Sequence, residues 1–244
     1  MFSSLSISLN GKPVTLHETN YHYKTYLEKL LNYVFDASGT HLVSSFRYLD
    51  LPGELNENSG YVRRLDYLRN GKTIELYGRL HADLFDSDKM LINGIGMNTK
   101  LKCAPESFYL LASSDDNKVR VKILYASLFI TKDDLKPHLL LSNANVLAML
   151  RKAHYPVTHT QIETFTAKSG AQQFSTDKTF LGPVPERILI AFVKNTAFVV
   201  SAFTNPFHFH HCDMTNFVLF VNGVQNPSEP LTVDFSSPFG DNRA

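Results

Sequence analysis

Histidines and a carboxylate are grouped in one short stretch of this 244-residue chain. His208 and His210 alternate along the stretch, His211 follows directly, and Asp213 comes three residues after His210. Imidazole and carboxylate groups are common metal ligands, and alternate residues of a strand point to the same face. A metal site would therefore use His208, His210 and Asp213. The candidates for a further ligand from a distant strand are His81, His154 and His159.

Metal binding is nevertheless the weaker interpretation of these histidines, because ligands must converge from separate strands and sequence cannot show that. After His210 no glutamate occurs until Glu229. We therefore assign no metal ligand and no cofactor, and keep His208, His210 and Asp213 as the alternative. A metal site here would indicate a metal-dependent enzyme of the cupin kind.

Covalent catalysis has no recognisable motif in this chain. Cys103 and Cys212 lie outside any nucleophile setting, and we expect both to be buried or half-buried structural thiols. Two widely spaced cysteines do not form a disulfide framework, which favours a reducing compartment. The pair Gly94 and Gly96 lacks the third glycine of a phosphate-binding loop, so we expect a turn or bulge. We therefore predict no catalytic residue and no enzymatic activity.

Composition and charge exclude several classes of partner. Apolar residues make up 43 % of the chain, charged residues 19 %, and the formal net charge is +1. A nearly neutral chain has no concentrated basic charge for nucleic acid, so no specific nucleic-acid binding is expected. The N-terminus has no basic region typical of a signal peptide, and no apolar run is long enough to span a membrane.

Hydrophobic periodicity predicts the elements that would position these residues. Leu5, Ile7 and Leu9 alternate with serines, which predicts a half-buried strand that ends at the turn Asn10–Gly11. Apolar residues then repeat at helical spacing from Tyr23 to Val34, with Thr19 or Asn20 as the cap. The stretch 39–70 is interpreted as a long loop with short strand pieces. An extended arm that runs into a short helix is predicted within 137–152.

Most of the remaining chain carries strand patterns separated by turns. The longest predicted strand covers Val119 to Thr131, where apolar residues alternate with Arg120 and Lys122. Further strands are predicted at 74–80, 90–92, 99–103, 108–112, 157–166, 187–194 and 215–221. Many strands without regular helices between them favour antiparallel β-sandwiches. A division near residue 117 separates two strand-rich halves.

Five segments, in order, resemble the major capsid protein of Maverick/Polinton elements and adintoviruses, a hexon-like double jelly-roll family. They are LNGKPV with the helix YHYKTYLEKLLNY (9–14 and 21–33), GRLHADLFDSDKMLINGIGM (78–97), VRVKILYASLFI (119–130), FLGPVPERILIAFVKNTAF (180–198), and NPFHFHHCDMTNFVLFVNGVQNPSEPL (205–231). The resemblance implies a mainly β double jelly-roll, incomplete at both termini, with one or two short helices. Residues 1–117 would form the C-terminal portion of the first roll with an inserted helix and loop, and 118–244 the N-terminal portion of the second.

The resemblance also implies a function. The chain would be a structural virion protein that forms homotrimers, and the trimers would contact one another in an icosahedral shell, with a minor capsid protein as a further partner. It would occupy the virion capsid, and the cytoplasm or nucleus of the host before assembly. Turns would be set by Asn195, Asn205, Pro206, Phe207, Asn222 and Gly223. The family has strands beyond both ends of this chain, so we expect a central fragment. A capsid-derived fragment adopted by a cellular genome is a further alternative.

Overall fold

The computed structural model describes residues 1–15, 18–50, 53, 58–111, 120–149, 152–177, 179–199, 201 and 203–235. The chain divides into two compact units, each assembled from separate stretches. The first unit comprises Met1–Glu28, Arg79–Glu106 and Asp116–Gln161. The second comprises Lys29–Gly78, Ser107–Asp115 and Ile162–Ala244. The predicted boundary near residue 117 lies outside the described residues.

The first unit contains a four-stranded antiparallel sheet. Its central strand β1 (Phe2–Leu9) pairs with the short strands β2 (Lys12–Pro13) and β3 (Glu18–Thr19) and with the longer β4 (Met97–Cys103). In the β1–β4 register, Leu5 lies opposite Leu101 and Ile7 opposite Thr99. The alternating pattern of β1 is confirmed, as is the turn after it, where Asn10 and Gly11 have φ angles of 49° and 78°.

A small apolar core forms on one face of this sheet. Leu5 and Ile7 are each 1 % exposed, and they cluster with Tyr21, Ala82 and Leu84. Tyr21 begins helix α1 (Tyr21–Asn32), which confirms the predicted helix. Only the start of its apolar stripe is buried, since Leu31 is 66 % exposed. The predicted helical stripe is therefore only partly a core stripe.

Helices occur where loops or strands were predicted. Helix α2 (Ser59–Leu68) lies inside the predicted loop 39–70, and Asn58 caps it by accepting hydrogen bonds from the backbone N–H groups of Gly60 and Tyr61. Helix α3 (Glu106–Tyr109) replaces a predicted strand. The helix predicted within 137–152 is confirmed as α4 (Pro137–Ala148), but it begins at Pro137, so the extended arm predicted before it is wrong. The remaining helical elements are α5 (Asn195–Phe198) and the 3-10 turns Phe35–Gly39, His41–Ser45, Arg69–Gly71 and Asp83–Asp86.

The described residues of the second unit form three two-stranded antiparallel ribbons. They pair β5 (Phe192–Val193) with β6 (Phe209–His210), β7 (Asn216–Phe217) with β10 (Leu231–Thr232), and β8 (Phe220–Val221) with β9 (Val224–Gln225). Each strand has two residues, so these ribbons cannot form the interlocked sheets of a sandwich.

The predicted double jelly-roll is therefore wrong. The described chain is 27 % helix and 14 % strand, and its strands form small sheets rather than two sandwiches. The longest predicted strand is also wrong, because residues 120–131 belong to no sheet. Alternation shows which side chains could share a face, but a strand also needs a neighbour for its backbone hydrogen bonds.

None of the described helices is both long enough and apolar enough to cross a membrane.

Candidate functional site

A group of buried charges links helix α1 to the 3-10 turn Asp83–Asp86 in the first unit. The side chain of Lys24 is 3 % exposed and that of Asp83 is 8 % exposed. Lys24 Nζ donates to Asp83 Oδ1 at 2.6 Å and lies 4.0 Å from Glu28 Oε1, one helical turn away. Buried charges are costly unless they are paired and hydrogen-bonded. The contact with Asp83 therefore offsets the cost of burying the Lys24 ammonium.

The second oxygen of the Asp83 carboxylate holds a distant part of the chain. His159 Nδ1 lies 2.9 Å from Asp83 Oδ2, and the backbone N–H of Thr160 donates to the same oxygen at 3.1 Å. Asp83 thereby contacts groups from two other stretches of the sequence, helix α1 and residues 159–160. A carboxylate without these donors would be left buried and incompletely satisfied.

His81 extends the same cluster. Its Nδ1 lies 2.8 Å from Glu28 Oε2, and its backbone N–H donates to the Tyr21 hydroxyl at 3.0 Å. Its Nε2 is buried and has no hydrogen-bond partner among the described residues. In the tautomer whose proton is on Nδ1, His81 donates a hydrogen bond to Glu28. Its Nε2 then carries only a lone pair, which accepts no hydrogen bond from a described residue. The cluster formed by Lys24, Glu28, His81, Asp83 and His159 is called the charge cluster below.

Two hollows in the described surface are lined by residues outside the charge cluster. One of about 170 Å³ is lined by residues of β1 and β4, including Ser6 and Lys100. Another of about 550 Å³ is lined by residues that include Arg63, Ser59 and Thr40. The contacts of the charge cluster hold helix α1, the 3-10 turn Asp83–Asp86 and residues 159–160 together, which favours a structural role.

The predicted histidine group lies in the second unit, around β6. The rings of His208 and His210 are adjacent, with centroids 4.2 Å apart. Desolvation lowers the pKa of His210 below its ordinary value, and the nearby His208, Lys194 and His211 lower it further. Nearby positive charges disfavour a protonated imidazole, so His210 favours its neutral form.

Asp213 does not join His208 and His210. Its carboxylate lies 3.1 Å from His211 Nδ1, and its backbone N–H donates to that nitrogen at 3.1 Å. The ring of His211 stacks on Phe235 at 4.7 Å. Among the described residues, no three His, Cys, Asp or Glu side chains form a group that could hold a metal ion.

The candidate distant ligands lie in the first unit and already have other contacts there. His81 and His159 belong to the charge cluster, and the backbone carbonyl of His154 accepts a hydrogen bond from Lys89 Nζ at 3.2 Å.

The expectation of buried thiols is wrong, since Cys103 and Cys212 are both exposed.

The turn before β6 is stabilised locally. Asn205 Oδ1 accepts from the backbone N–H of Phe207 at 2.9 Å, and the Asn205 carbonyl accepts from His208. The Phe207 ring meets Phe108 edge to face, with centroids 5.5 Å apart. Asn222 and Gly223 have φ angles of 51° and 81°, which suits the turn between β8 and β9.

A long stretch of apolar residues lies on the surface of the first unit. Every residue from 120 to 149 is exposed, and this stretch is called the apolar segment below. Tyr125 is 84 % exposed and Leu124 65 %. Helix α4 contains no buried residue, and its Leu141 is 66 % exposed. An apolar surface of this extent is typical of interaction sites rather than of a monomer's exterior.

Sequence reasoning missed the charge cluster, although a weak signal was present. Lys24 lies within the aromatic and leucine stripe of α1, and Asp83 lies between Ala82 and Leu84 in an apolar run. A charged residue at an apolar position indicates a buried partner of opposite charge. Sequence alone could not show that the two positions, 59 residues apart, meet.

In comparisons with protein families, curated proteins and solved structures, no match to this chain was found.

Proposed function

We propose that this chain is a structural protein of a viral or transposon-encoded capsid, and that it acts by assembling with copies of itself into trimeric capsomers. The capsid assignment is supported by the five segments, in order, that resemble Maverick/Polinton capsid proteins. Self-assembly is supported by one structural observation above all, the exposure of the whole apolar segment. In this proposal no residue has a catalytic role.

Burial of the apolar segment provides the driving force for assembly. Burying a fully exposed leucine side chain contributes about 1.5–3 kcal/mol. Leu141 is 66 % exposed, so burying this exposed part of its side chain contributes roughly 1–2 kcal/mol. Leu124, at 65 % exposed, contributes a similar amount. The sum over many such side chains offsets the loss of freedom on association.

The charge distribution favours a second copy of the chain as the partner. Within the apolar segment, residues 123–131 and 137–149 contain no Asp, Glu, Lys or Arg. Identical surfaces that carry like charges repel each other when they meet around a symmetry axis, and uncharged surfaces do not. The chain as a whole has a net charge of only +1. Copies can therefore approach without an electrostatic barrier.

A pair of matched variants tests the proposal. Leu141→Glu places a charge on the exposed face of α4, whereas Ser142→Glu places the same charge on the adjacent exposed residue. We expect Leu141→Glu to weaken association about five- to thirtyfold through lost burial alone. Ser142→Glu is expected to have a smaller effect. Sedimentation velocity over a range of protein concentrations measures both.

Two results would count against the proposal. One is a wild-type chain that sediments as a monomer at every concentration. The other is a Leu141→Glu variant that associates as strongly as the wild type, which would mean that α4 lies outside the interface.

A further inference from the structure

The larger hollow belongs to the second unit and is called the polar hollow below. Its volume of about 550 Å³ lies within the range of roughly 300–1,000 Å³ that is common for small-molecule sites. Arg63, Ser38 and Ser59 contribute hydrogen-bond donors to its lining, and Asp36 contributes a carboxylate. One wall can therefore bind an anionic group, and Asp36 can accept hydrogen bonds from a neutral one.

The guanidinium of Arg63 is available to an anionic ligand. It lies over the ring of Tyr48, 5.9 Å from the ring centroid, and Tyr48 also lines the polar hollow. No carboxylate among the described residues pairs with Arg63, whereas the next arginine, Arg64, donates to both oxygens of Asp50 at 2.8 and 2.7 Å. A guanidinium presents several N–H donors in one plane, which match the oxygens of a phosphate or a carboxylate.

The hydroxyl of Ser38 supplies a second donor. Ser38 is 5 % exposed, and its Oγ accepts a hydrogen bond from Arg47 Nε at 3.3 Å. Within the described part of the chain, the proton of this hydroxyl has no acceptor, although the side chain lines the polar hollow. Because a buried donor without an acceptor is costly, an oxygen of a ligand at this position would be stabilising.

Further positive charge lies behind the wall formed by Ser38. Arg47, which donates to Ser38, is half-buried, and so is Lys29. Burial lowers the pKa of the Lys29 ammonium below its ordinary value, and the positive charge of Arg47 lowers it further. Like charges that are held close together repel each other, and a nearby anion offsets this repulsion.

The wall formed by the start of α2 is fixed in position by the protein itself. Gly60 lies so close to the neighbouring backbone that a Cβ on it would meet the Leu49 carbonyl oxygen at 2.8 Å. The ion pair between Arg64 and Asp50 joins the same two stretches. Asn58 already accepts from two backbone N–H groups of the first turn, so the donors in the polar hollow are side chains. A wall fixed in advance lowers the entropic cost of binding.

We propose that the polar hollow binds a phosphate monoester of a polyhydroxyl compound, such as a sugar phosphate. The phosphate contacts the Arg63 guanidinium and the hydroxyls of Ser38 and Ser59. These three donor groups match the three terminal oxygens of a phosphate better than the two oxygens of a carboxylate. The Asp36 carboxylate repels a second anionic group but accepts hydrogen bonds from hydroxyls of the ligand. Binding at this site does not depend on the proposed self-assembly.

Isothermal titration calorimetry with four matched ligands tests the proposal. Glucose 6-phosphate carries both kinds of group, inorganic phosphate only the anion, glucose only the hydroxyls, and gluconate a carboxylate in place of the phosphate. We expect glucose 6-phosphate to bind more tightly than the other three, because it alone brings a phosphate and several hydroxyls together.

A pair of arginine variants locates the binding site. Arg63→Met removes the guanidinium of the polar hollow, whereas Arg69→Met removes the arginine that follows α2. Both arginines are exposed, so both variants should fold, which thermal melts check. We expect Arg63→Met to weaken the binding of glucose 6-phosphate about 10- to 100-fold, the effect of losing hydrogen bonds to a charged group. Arg69→Met should leave the affinity unchanged.

Three results would overturn the proposal. The first is a wild-type chain that does not bind glucose 6-phosphate. The second is an equal loss of affinity in Arg63→Met and Arg69→Met, which would mean that the ligand is attracted by surface charge in general. The third is inorganic phosphate, glucose or gluconate binding as tightly as glucose 6-phosphate, which would exclude the proposed class of ligand.

Discussion

Removal of the Asp83 carboxylate is the sharpest perturbation of the first unit. The substitution Asp83→Ala leaves the Lys24 ammonium, which is 3 % exposed, without its closest partner. The next carboxylate oxygen, on Glu28, is 4.0 Å away. Loss of one partner of a buried ion pair costs about 3–5 kcal/mol. We therefore expect the free energy of unfolding to fall by about 3–5 kcal/mol.

The same 3-10 turn provides a matched control. Asp86 also pairs with a cation, Arg79, but the two side chains are 46 % and 55 % exposed. Exposed ion pairs contribute about 0–1 kcal/mol because solvent screens them. Asp86→Ala removes the same chemical group three residues away, and we expect it to lower stability by less than about 1 kcal/mol.

Urea denaturation followed by circular dichroism measures both variants. The double variant Lys24→Met/Asp83→Ala is also informative, because it removes the ammonium that Asp83→Ala leaves without its closest partner. We expect it to be more stable than Asp83→Ala alone, which a double-mutant cycle reports as coupling between the two positions. Equal losses for Asp83→Ala and Asp86→Ala would refute the reasoning, since burial of the Lys24–Asp83 pair would then contribute nothing.

Two further predictions concern α1 and the first turn. Burial lowers the pKa of His22 from 6.5 to about 4, and the positive N-terminus lowers it further in the same direction. As the pH falls from about 6.5 to about 4, the unfolded chain therefore binds a proton before the folded chain does, and stability is lost. His22→Gln should remove that part of the pH dependence, measured as the urea midpoint at pH 7 and pH 5; an unchanged slope would contradict this. Gly11 has a φ of +78° and no atom near its missing Cβ, so Gly11→Ala should cost about 1–2 kcal/mol through backbone strain alone. Gly39→Ala, at a glycine without a positive φ, should be nearly neutral, and thermal melts of the two variants measure the difference.

Local patterns predicted the elements whose neighbours are close in sequence or strongly patterned. Strand β1 follows from the alternation of Leu5, Ile7 and Leu9, and the turn after it from Asn10–Gly11. Helix α1 follows from its 3.6-residue repeat. In each case the side-chain period and the turn chemistry agree with the structure.

The errors arose where local pattern does not determine pairing. Residues 120–131 have the residues of a strand but pair with no strand among the described residues, and α2 was missed although Asn58 could have indicated its start. The charge cluster depends on contacts between positions 59 and 77 residues apart, which no local period encodes. The histidines at 208 and 210 did come together, but Asp213 turned to His211 instead.

Self-assembly is the central claim, and the mass of the wild-type protein in solution tests it most directly. Sedimentation equilibrium at increasing concentrations should give a mass that rises to that of three chains of 27.6 kDa, with trimeric particles visible by electron microscopy. A mass of 27.6 kDa at every concentration, with no particles, would contradict the account.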